Sequence, residues 1–433
     1  MNSDTIGDKI INKSAIIGVV GLGYVGLPLA VAFAETGFCV EGYDTQPTKV
    51  WRINKGESYI VDVPSTVLSP LVRTRRLRAI TKLPGIWKAD VVIICVPTPI
   101  TEDKKPDLSY ITAAVNQIKG RLASQDSMVI LESSTYPGTT RDIVLPLLAG
   151  TAKYIAYSPE RVDPGSKKFN IRNTPKLVGG IDKESTELAT LLYKQIVDKV
   201  VPVSSPEVAE MAKLFENVFR NVNIALANEM ALLCERIGVS VWEMIDAAAT
   251  KPFGFMPFYP GVGVGGHCIP VDPYYLIDKA MQRGLPICSL IITALSTNEE
   301  MPEYVANRIE SLLKRGVDKA KILVLGVAFK RDMGDVRESP SVKLIDILLS
   351  WGADVSYNDP YVLEAIVGGK TLISSSLDDI AEVDCVVIAT DHSCYDYKDI
   401  VRRSKLVFDT RGATRGIDSE NIRRLGERLE RRL

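Results

Sequence analysis

One cysteine stands where a covalent nucleophile could act, inside the glycine-rich stretch FYPGVGVGGHCIPVDPYYL, Phe258 to Leu276. Cys268 follows His267 and precedes Asp272 by four residues, so a thiol lies close in sequence to a carboxylate. A thiolate attacks carbonyl carbon, and a nearby acid can then handle water. The alternative is that Cys268 is a small buried hydrophobic residue, as cysteines outside disulfides usually are. Four glycines between positions 261 and 266 favour the functional interpretation, because they let backbone approach a ligand.

A second pattern, GLGYVG, follows an apolar strand and opens a helix. In that context G-x-G-x-x-G predicts dinucleotide binding: Gly21 makes the tight turn, Gly23 admits the pyrophosphate and Gly26 lets helix and strand pack closely. Asp44 ends the next strand, about 20 residues on, where a carboxylate accepts from the ribose 2′-hydroxyl and favours NAD over NADP. The predicted cofactor contacts of this segment are Gly21, Gly23, Tyr24, Val25, Gly26 and Asp44.

Two later apolar strands, in ADVVIICVPTP and SMVILESSTYPGTT, also end in polar loops. Ligands bind at the carboxyl ends of the strands in an open α/β sheet, so Thr98, Ser134 and Thr135 are predicted to face the cofactor. Ordinary turn chemistry explains Thr98 and Ser134 equally well. Glu160 lies just past another strand end, between two prolines, where a solvated acid has no need to be held so rigidly.

The middle of the chain predicts one long helix. Ser204 to Glu207 is a helix-start signal, and no glycine or proline follows until Gly238, which allows about 30 helical residues. Such helices usually join domains or form subunit interfaces. Lys213 and Asn217 are four apart and share a face, although a solvated helix face is the simpler explanation. A shorter helix is predicted over 241–249.

The C-terminal part predicts a second α/β unit whose first turn lacks the three-glycine pattern. Lys330, Arg331 and Arg337 precede a helix start, and forked guanidinium groups at a helix N-terminus suit a diphosphate. A solvated basic turn explains them equally well. A helix is also predicted from Pro302 to Lys314, and the tail 421–433 is predicted to be a solvated amphipathic helix.

The composition excludes several classes of protein. A chain of 433 residues can form two or three domains, and its formal net charge of −1 gives no reason to expect a nucleic-acid or membrane-surface partner. Seven scattered cysteines favour a reducing compartment. Without a signal-peptide pattern or an apolar span, we expect a cytoplasmic protein, and with two histidines and no Cys-x-x-Cys we expect no metal site.

The chain resembles the UDP-glucose and UDP-N-acetylhexosamine 6-dehydrogenases over nearly its whole length. Six motifs match in order: GLGYVGLPLA, CVPTP, YSPER, AKLFEN, GVGGHCIPVDPYYL and FKRDMGDVRESPS. The resemblance implies an α/β fold with two Rossmann-like, doubly wound parallel-sheet domains joined by a long central helix, in a homodimer. We expect an NAD domain over 1–203, a helical dimerisation and cysteine region over 204–307, and a UDP-sugar domain over 308–433.

The resemblance also implies roles for matching residues. Cys268 looks like the covalent nucleophile, Lys213 and Asn217 look like stabilisers of the oxyanion, and Asp272 looks like the acid that works with Lys213. The groups that resemble water-positioning residues are Thr135 and Glu160. The implied substrate contacts are Glu160, Arg161, Lys213, Asn217, Phe258, Gly265, Lys330 and Arg337.

The substrate branch is suggested by one departure from the UDP-glucose enzymes. They carry a second glutamate where this chain has Pro164, and the SPERVDPG string with Arg161 resembles the N-acetylhexosamine branch. Within it, the chain looks most like the UDP-N-acetylglucosamine 6-dehydrogenases. UDP-N-acetylmannosamine, UDP-N-acetylgalactosamine and UDP-glucose are the alternative substrates.

Oxidising a primary alcohol to a carboxylate removes two hydrides, yet the sequence carries one dinucleotide fingerprint. A covalent bond to Cys268 would retain the aldehyde as a thiohemiacetal, then as a thioester. One rival is a UDP-sugar epimerase, whose Tyr-x-x-x-Lys spacing occurs at Tyr275 and Lys279. The other is a nucleotide-sugar sensor without catalysis, which would have no need of a nucleophile and its oxyanion partners.

Overall fold

The computed structural model describes residues 4–85, 87–122, 124–162, 165, 168–285 and 288–428, whose strands form sheets of eight, five and two strands. The chain divides into two compact units. The first contains the residues up to Glu216 together with Tyr274–Gly284, and the second contains Asn217–Pro273 and the residues from Leu285 onward. No helix in the described ranges is long and apolar enough to cross a membrane.

The first unit is built on eight strands in the spatial order β3-β2-β1-β4-β5-β6-β7-β8. All neighbours are parallel except β6 and β7. The central strands are buried throughout, as expected of parallel strands with both faces covered. The strands are β1 (Ile16–Val20), β2 (Cys39–Tyr43), β3 (Leu77–Ile80), β4 (Val91–Ile94), β5 (Met128–Leu131), β6 (Tyr154–Tyr157), β7 (Lys176–Gly180) and β8 (Val200–Pro202).

The order of these strands reverses at β1, so β2 and β4 flank it and a crevice is expected at their carboxyl ends. A π-helical turn, Thr140–Val144, leads into the sixth helix. The helices before the long central one are α1 (Ile6–Ile11), α2 (Gly26–Glu35), α3 (Pro47–Asn54), α4 (Ser65–Arg73), α5 (Ser109–Ile118), α6 (Leu145–Leu147) and α7 (Lys183–Tyr193).

The predicted long helix is confirmed as α8 (Pro206–Ile237), 32 residues without a break. Its start has proline in the first turn, and the Ser205 hydroxyl accepts from the Val208 N–H at 3.4 Å. It stops at Gly238, whose φ of +81° suits glycine. The unit boundary falls between Glu216 and Asn217, inside this helix. The next helix, α9 (Val241–Ala249), also has the predicted bounds.

The second unit contains a parallel five-stranded sheet in the order β10-β9-β13-β14-β15, and an antiparallel hairpin of β11 and β12. The fold class, two α/β sheets linked along the chain by a long helix, is confirmed; the first sheet is parallel except at the β6–β7 pair and the second is parallel throughout. The strands are β9 (Lys321–Leu325), β10 (Asp354–Asn358), β11 (Glu364–Val367), β12 (Lys370–Ile373), β13 (Cys385–Ile388), β14 (Val407–Asp409) and β15 (Ile422–Arg424). The remaining helices are α10 (Asp272–Gln282), α11 (Ser289–Leu312), α12 (Pro340–Ser350) and α13 (Tyr397–Arg403), with a 3-10 turn at Ile380–Glu382.

The helix predicted from Pro302 begins 13 residues earlier, because α11 starts at Ser289 and continues through Pro302. The prediction failed because proline usually marks a helix start, whereas this proline is buried within the helix. Strands β3 and β7 were not predicted, since the first follows a run of arginines and the second ends in two glycines.

The tail differs most from expectation. Residues 429–433 lie outside the described residues, but before them the chain forms β15, which pairs with β14, and no solvated helix. Leu425 is completely buried, and its carbonyl accepts from Trp242 Nε1 at 2.8 Å. The spacing of Ile422 and Leu425 suits a helix face, and pairing with a distant strand overrides that local preference.

We therefore expect Leu425→Ala to lower the free energy of unfolding by about 2–5 kcal/mol, because it empties a buried site at the end of this sheet. Chemical denaturation measures the change. Glu420→Ala, an exposed position nearby, is the control and should change the unfolding free energy little. A Leu425→Ala value no larger than the control value would contradict the structure of the tail.

Candidate active site

Of the three motif glycines in the first turn, Gly23 is the one with open space where a side chain would be. A Cβ on Gly21, at φ +91°, would lie 2.7 Å from the Cys95 carbonyl oxygen, and a Cβ on Gly26 would lie 1.8 Å from the Gly21 carbonyl oxygen. Both positions therefore need glycine for the fold itself. A Cβ on Gly23 would have no atom within 4 Å. This gap above the N-terminus of α2 fits the close approach of a pyrophosphate.

Asp44 lies at the end of β2, and its carboxylate is fixed at both oxygens. Oδ2 accepts from the Leu22 N–H, and Oδ1 accepts from the Gln46 N–H, both at 2.9 Å. Lys49 Nζ lies 3.6 Å from Oδ2. Each carboxylate oxygen keeps a second lone pair, so Asp44 can still accept from a ribose hydroxyl. Of the other two turn residues, Tyr24 is about half exposed and Val25 precedes α2.

The loop after β5 carries Thr135, which is completely buried and shares a hydrogen bond of 2.6 Å with the Thr139 hydroxyl. Glu210 on α8 holds the same loop, because its carboxylate accepts from the backbone N–H of Gly138 at 2.6 Å and of Thr140 at 2.9 Å. Burial raises the pKa of Glu210, and the hydrogen bonds from Thr140 and Gly138 oppose that rise. Glu210 lies three residues before Lys213 on α8, but the sequence did not reveal this contact.

Glu160 follows β6 and contacts a group of buried residues that the sequence did not reveal. Its carboxylate lies 3.2 Å from Lys176 Nζ on β7, and the same ammonium lies 2.9 Å from Glu132, directly after β5. Glu132 also accepts from the Tyr193 hydroxyl. Glu132 could have been found as an acid at a strand's carboxyl end, whereas Lys176 lies on a strand that was not predicted. Neighbouring Arg161 pairs with Glu216 at 2.6 Å.

Thr98 and Ser134 are partly buried at the carboxyl ends of β4 and β5. The carbonyl of Thr98 accepts from the Tyr275 hydroxyl at 2.9 Å. Tyr275 is completely buried, and Lys279 lies 3.8 Å from Asp142, so this pair serves contacts within the first unit. Their spacing therefore gives no support to the epimerase.

In the second unit, Cys268 lies in the turn that leads into α10. Its carbonyl accepts from the Asp272 N–H at 2.8 Å, which makes Asp272 the first residue of that helix. The Asp272 side chain is almost fully buried, and it accepts from Asn217 Nδ2 on α8 at 2.6 Å. Lys213 lies one helical turn before Asn217 on the same helix. Cys268 itself is partly exposed.

Two further asparagines of α8 hold the same loop. Asn221 Nδ2 donates to the Ile269 carbonyl at 3.3 Å, and Asn228 Oδ1 accepts from the Gly261 N–H at 3.0 Å. Asn228 donates in turn to Asn298 on α11 at 2.9 Å. All three asparagines are buried, so these contacts fix the loop at several points along one helix face.

The loop also packs against the basic segment that precedes α12. A Cβ on Gly265 would lie 2.6 Å from Phe329 Cβ, and the Gly266 N–H donates to the Arg337 carbonyl at 2.9 Å. Arg337 forms a bidentate pair with Asp335, with a shortest distance of 2.6 Å, which lowers the pKa of that carboxyl against the opposing effect of burial. The cysteine loop thus contacts Arg337 through Gly266 and packs on Phe329, which precedes Lys330 in sequence, while Asn217 holds Asp272 at its other end.

Two further predicted residues, Phe258 and Arg331, contact other side chains in the second unit. The Phe258 ring packs edge to face on Phe219 of α8, with centroids 5.8 Å apart. Arg331 pairs with Asp391 at 2.6 Å. Pro164, on which the choice of substrate branch depends, lies outside the described residues. Within the described ranges, no group of three or more histidine, cysteine or acidic side chains is arranged to hold a metal ion.

Comparison with known proteins agrees with this arrangement. Three models of the UDP-glucose/GDP-mannose dehydrogenase family match the chain: its NAD binding domain at residues 15–197, its central domain at 207–300 and its UDP binding domain at 323–416. The chain therefore belongs to this family. It is an NAD-dependent oxidoreductase of the UDP-sugar dehydrogenase class.

Particular relatives are similar over almost their whole length. The chain is 38% identical over 420 residues to the UDP-N-acetyl-D-mannosamine dehydrogenase of Methanococcus maripaludis, covering 94% of each chain. It is 35% identical to the UDP-N-acetyl-D-glucosamine 6-dehydrogenase of Pseudomonas aeruginosa, covering 96% of this chain and 95% of the relative. A solved UDP-D-ManNAc dehydrogenase from Pyrococcus horikoshii superposes with a TM-score of 0.86 at 34% identity, covering 95% and 99% of the two chains.

The glycine turn gives a matched pair of substitutions. We expect Gly23→Ala to fold normally, because its methyl group enters open space, and to weaken NAD binding at least about tenfold, because that space is needed by the pyrophosphate. Gly26→Ala should instead prevent folding of the first unit. Thermal melting and titration with NAD separate the two effects. Wild-type NAD affinity in Gly23→Ala would contradict the assigned site.

Proposed function

We propose that this enzyme oxidises the C6 alcohol of a UDP-N-acetylhexosamine to the uronate in two successive steps, with Cys268 as the covalent nucleophile. The observation that carries the proposal is the turn that joins Cys268 to the buried Asp272, whose carboxylate is held by Asn217 at 2.6 Å. A nucleophile, an acid and an amide donor on rigid elements suit acyl chemistry better than binding alone.

The chain's residues have distinct roles in this scheme. The first oxidation gives an aldehyde, to which the Cys268 thiolate adds to form a thiohemiacetal. The second oxidation gives a thioester, which water hydrolyses to release the carboxylate and the thiol. NAD, when bound, accepts a hydride at each oxidation. Lys213 and Asn217 stabilise the oxyanion of each tetrahedral stage, and Asp272 exchanges protons with Lys213.

Hydrolysis of the thioester needs an ordered water, which we assign to Thr135 and Glu160. Asp44 and the glycine turn bind the cofactor, together with Tyr24, Val25 and Thr98. The proposed substrate contacts are Glu160, Arg161, Lys213, Asn217, Phe258, Gly265, Lys330 and Arg337. These assignments divide the chain into the functional segments 1–203, 204–307 and 308–433.

UDP-N-acetylglucosamine is the first candidate substrate, since the Arg161 motif and the cysteine loop resemble enzymes that use it. The Pseudomonas aeruginosa relative named for this sugar supports that choice. UDP-N-acetylmannosamine is the second candidate, because several archaeal relatives with 36–38% identity are named for it. Both sugars carry the same primary alcohol at C6, so the chemistry at Cys268 is common to both.

The stoichiometry of NADH formed per sugar consumed tests the proposal. Purified enzyme receives excess NAD and one UDP-sugar at a time: the N-acetyl forms of glucosamine, mannosamine and galactosamine, then glucose. A ratio near two with an N-acetylated sugar is expected, because an alcohol loses two hydrides on the way to a carboxylate. A ratio of zero across the panel, with NAD binding retained, would move the function to the epimerase or the sensor.

Cys268→Ala should abolish uronate formation and leave NAD binding intact, because the thioester can no longer form. Cys394→Ala, at an exposed cysteine of the same unit, is the matched control and should keep full activity. Product analysis by mass spectrometry distinguishes uronate from aldehyde. Full uronate production by the Cys268 variant would exclude the covalent scheme.

We also propose a homodimer formed through α8. One face of this helix carries a continuous row of apolar side chains, each between 40% and 64% exposed. Large exposed apolar patches mark interaction sites, and a row along 32 residues fits a self-complementary contact with a second copy. The row consists of Val208, Met211, Phe215, Phe219, Leu226, Leu233 and Ile237.

Leu226→Asp and Leu233→Asp should therefore convert the dimer to a monomer, because each places a charge in the apolar contact. Light scattering coupled to gel filtration measures the mass. Leu363→Asp, which makes the same change at a side chain that is 75% exposed and lies outside α8, should remain dimeric. If both helix variants keep the mass of the wild-type assembly, this face is not the interface.

A further inference from the structure

In the first unit, Glu160 belongs to a cluster of ionisable side chains with Lys176, Glu132 and Tyr193. Lys176 is 4% exposed, and its ammonium bridges Glu132 at 2.9 Å and Glu160 at 3.2 Å. Glu132 is fully buried and accepts a further hydrogen bond from Tyr193 on α7. One buried ammonium therefore pairs with two carboxylates, of which Glu132 is fully buried and Glu160 is partly exposed.

The two carboxylate oxygens of Glu160 have different hydrogen-bond partners. Oε2 pairs with Lys176, whereas Oε1 accepts from the backbone N–H groups of Arg161 at 2.7 Å and Val162 at 2.6 Å. Burial would raise the pKa of Glu160, but the charge of Lys176 and these N–H groups outweigh it, and the pKa falls below its ordinary value. Glu160 is therefore both oriented and ionised at neutral pH.

The other members of the cluster cannot replace that cation. Burial raises the pKa of Glu132 in spite of the opposing charge of Lys176. Burial also raises the pKa of Tyr193, on α7, and of Cys95, after β4, so that both stay neutral. Without the ammonium, two neighbouring carboxylates would have to share a proton, as closely spaced acids do.

We propose that Lys176 is a positioning residue for thioester hydrolysis, and that it fixes the charge and the orientation of the Glu160 carboxylate that holds the attacking water. In this step the water oxygen bonds to the carbonyl carbon and loses one proton, the carbon–sulfur bond breaks with Cys268 leaving as a thiolate, and the product acid then loses the second proton; both protons pass to solvent. The inference rests on the function proposed above for Cys268 and Glu160.

Lys176→Met tests the inference. Its steady-state turnover should fall at least about tenfold, because a misplaced carboxylate orders the water poorly. The acid limb of the turnover–pH profile should move up by roughly one unit or more, because Glu160 then competes with Glu132 for a proton. Since both oxidations precede the affected step, intact-mass spectrometry during turnover should show acylated Cys268. Lys183→Met, at an exposed lysine, is the matched control.

Two further variants separate the possible outcomes. Glu160→Gln should accumulate the same acyl-enzyme; if it does and Lys176→Met hydrolyses with the wild-type rate and pH profile, Lys176 has no positioning role. If no variant is acylated and no uronate forms, the proposed function fails instead. If Lys176→Met does not fold, the double variant Glu132→Gln/Lys176→Met replaces it, because it removes one buried carboxylate together with the ammonium. Wild-type hydrolysis by that double variant would equally overturn the inference.

Discussion

The loop that carries Cys268 depends on hydrogen bonds that its own backbone cannot make. Its glycines and prolines leave little regular structure, yet its polar groups are partly buried and must be satisfied. Helix α8 supplies the partners through Asn217, Asn221 and Asn228, and Asn298 completes the set from α11. Cys268, the proposed nucleophile, therefore lies in a loop held by one helix face, which is the kind of support that acyl chemistry requires.

The two large sheets share one feature at their first turn. Each has an aspartate after its second strand that accepts from the first turn: Asp44 from the Leu22 N–H, and Asp359 from the N–H groups of Val327 and Ala328. Asp359 also lies 3.1 Å from the buried His392 ring. Its carboxylate is thus engaged by protein groups, and for the second sheet we propose substrate contacts in the basic segment before α12 instead.

Local rules made much of this fold predictable from sequence. The glycine turn, the start of α8 and the bounds of α9 follow from backbone freedom and helix capping, which act over a few residues. The failures involve distant partners: β15 forms by pairing with β14, and Lys176 meets an acid 44 residues away. The contact of Asn228 with Asn298, 70 residues apart, was equally invisible. Such contacts depend on topology, which residue types alone do not specify.

The path of the chain through α10 decides which fragments contain a complete first unit and when that unit is completed during translation. Residues 274–284 belong to the first unit, although they follow 57 residues of the second unit, 217–273, in sequence. Tyr275, which is buried there, reaches the ribosome's exit only after the whole of α8. A fragment that stops at Glu216 lacks part of its own unit, so a nascent chain completes this unit only after the cysteine loop has emerged.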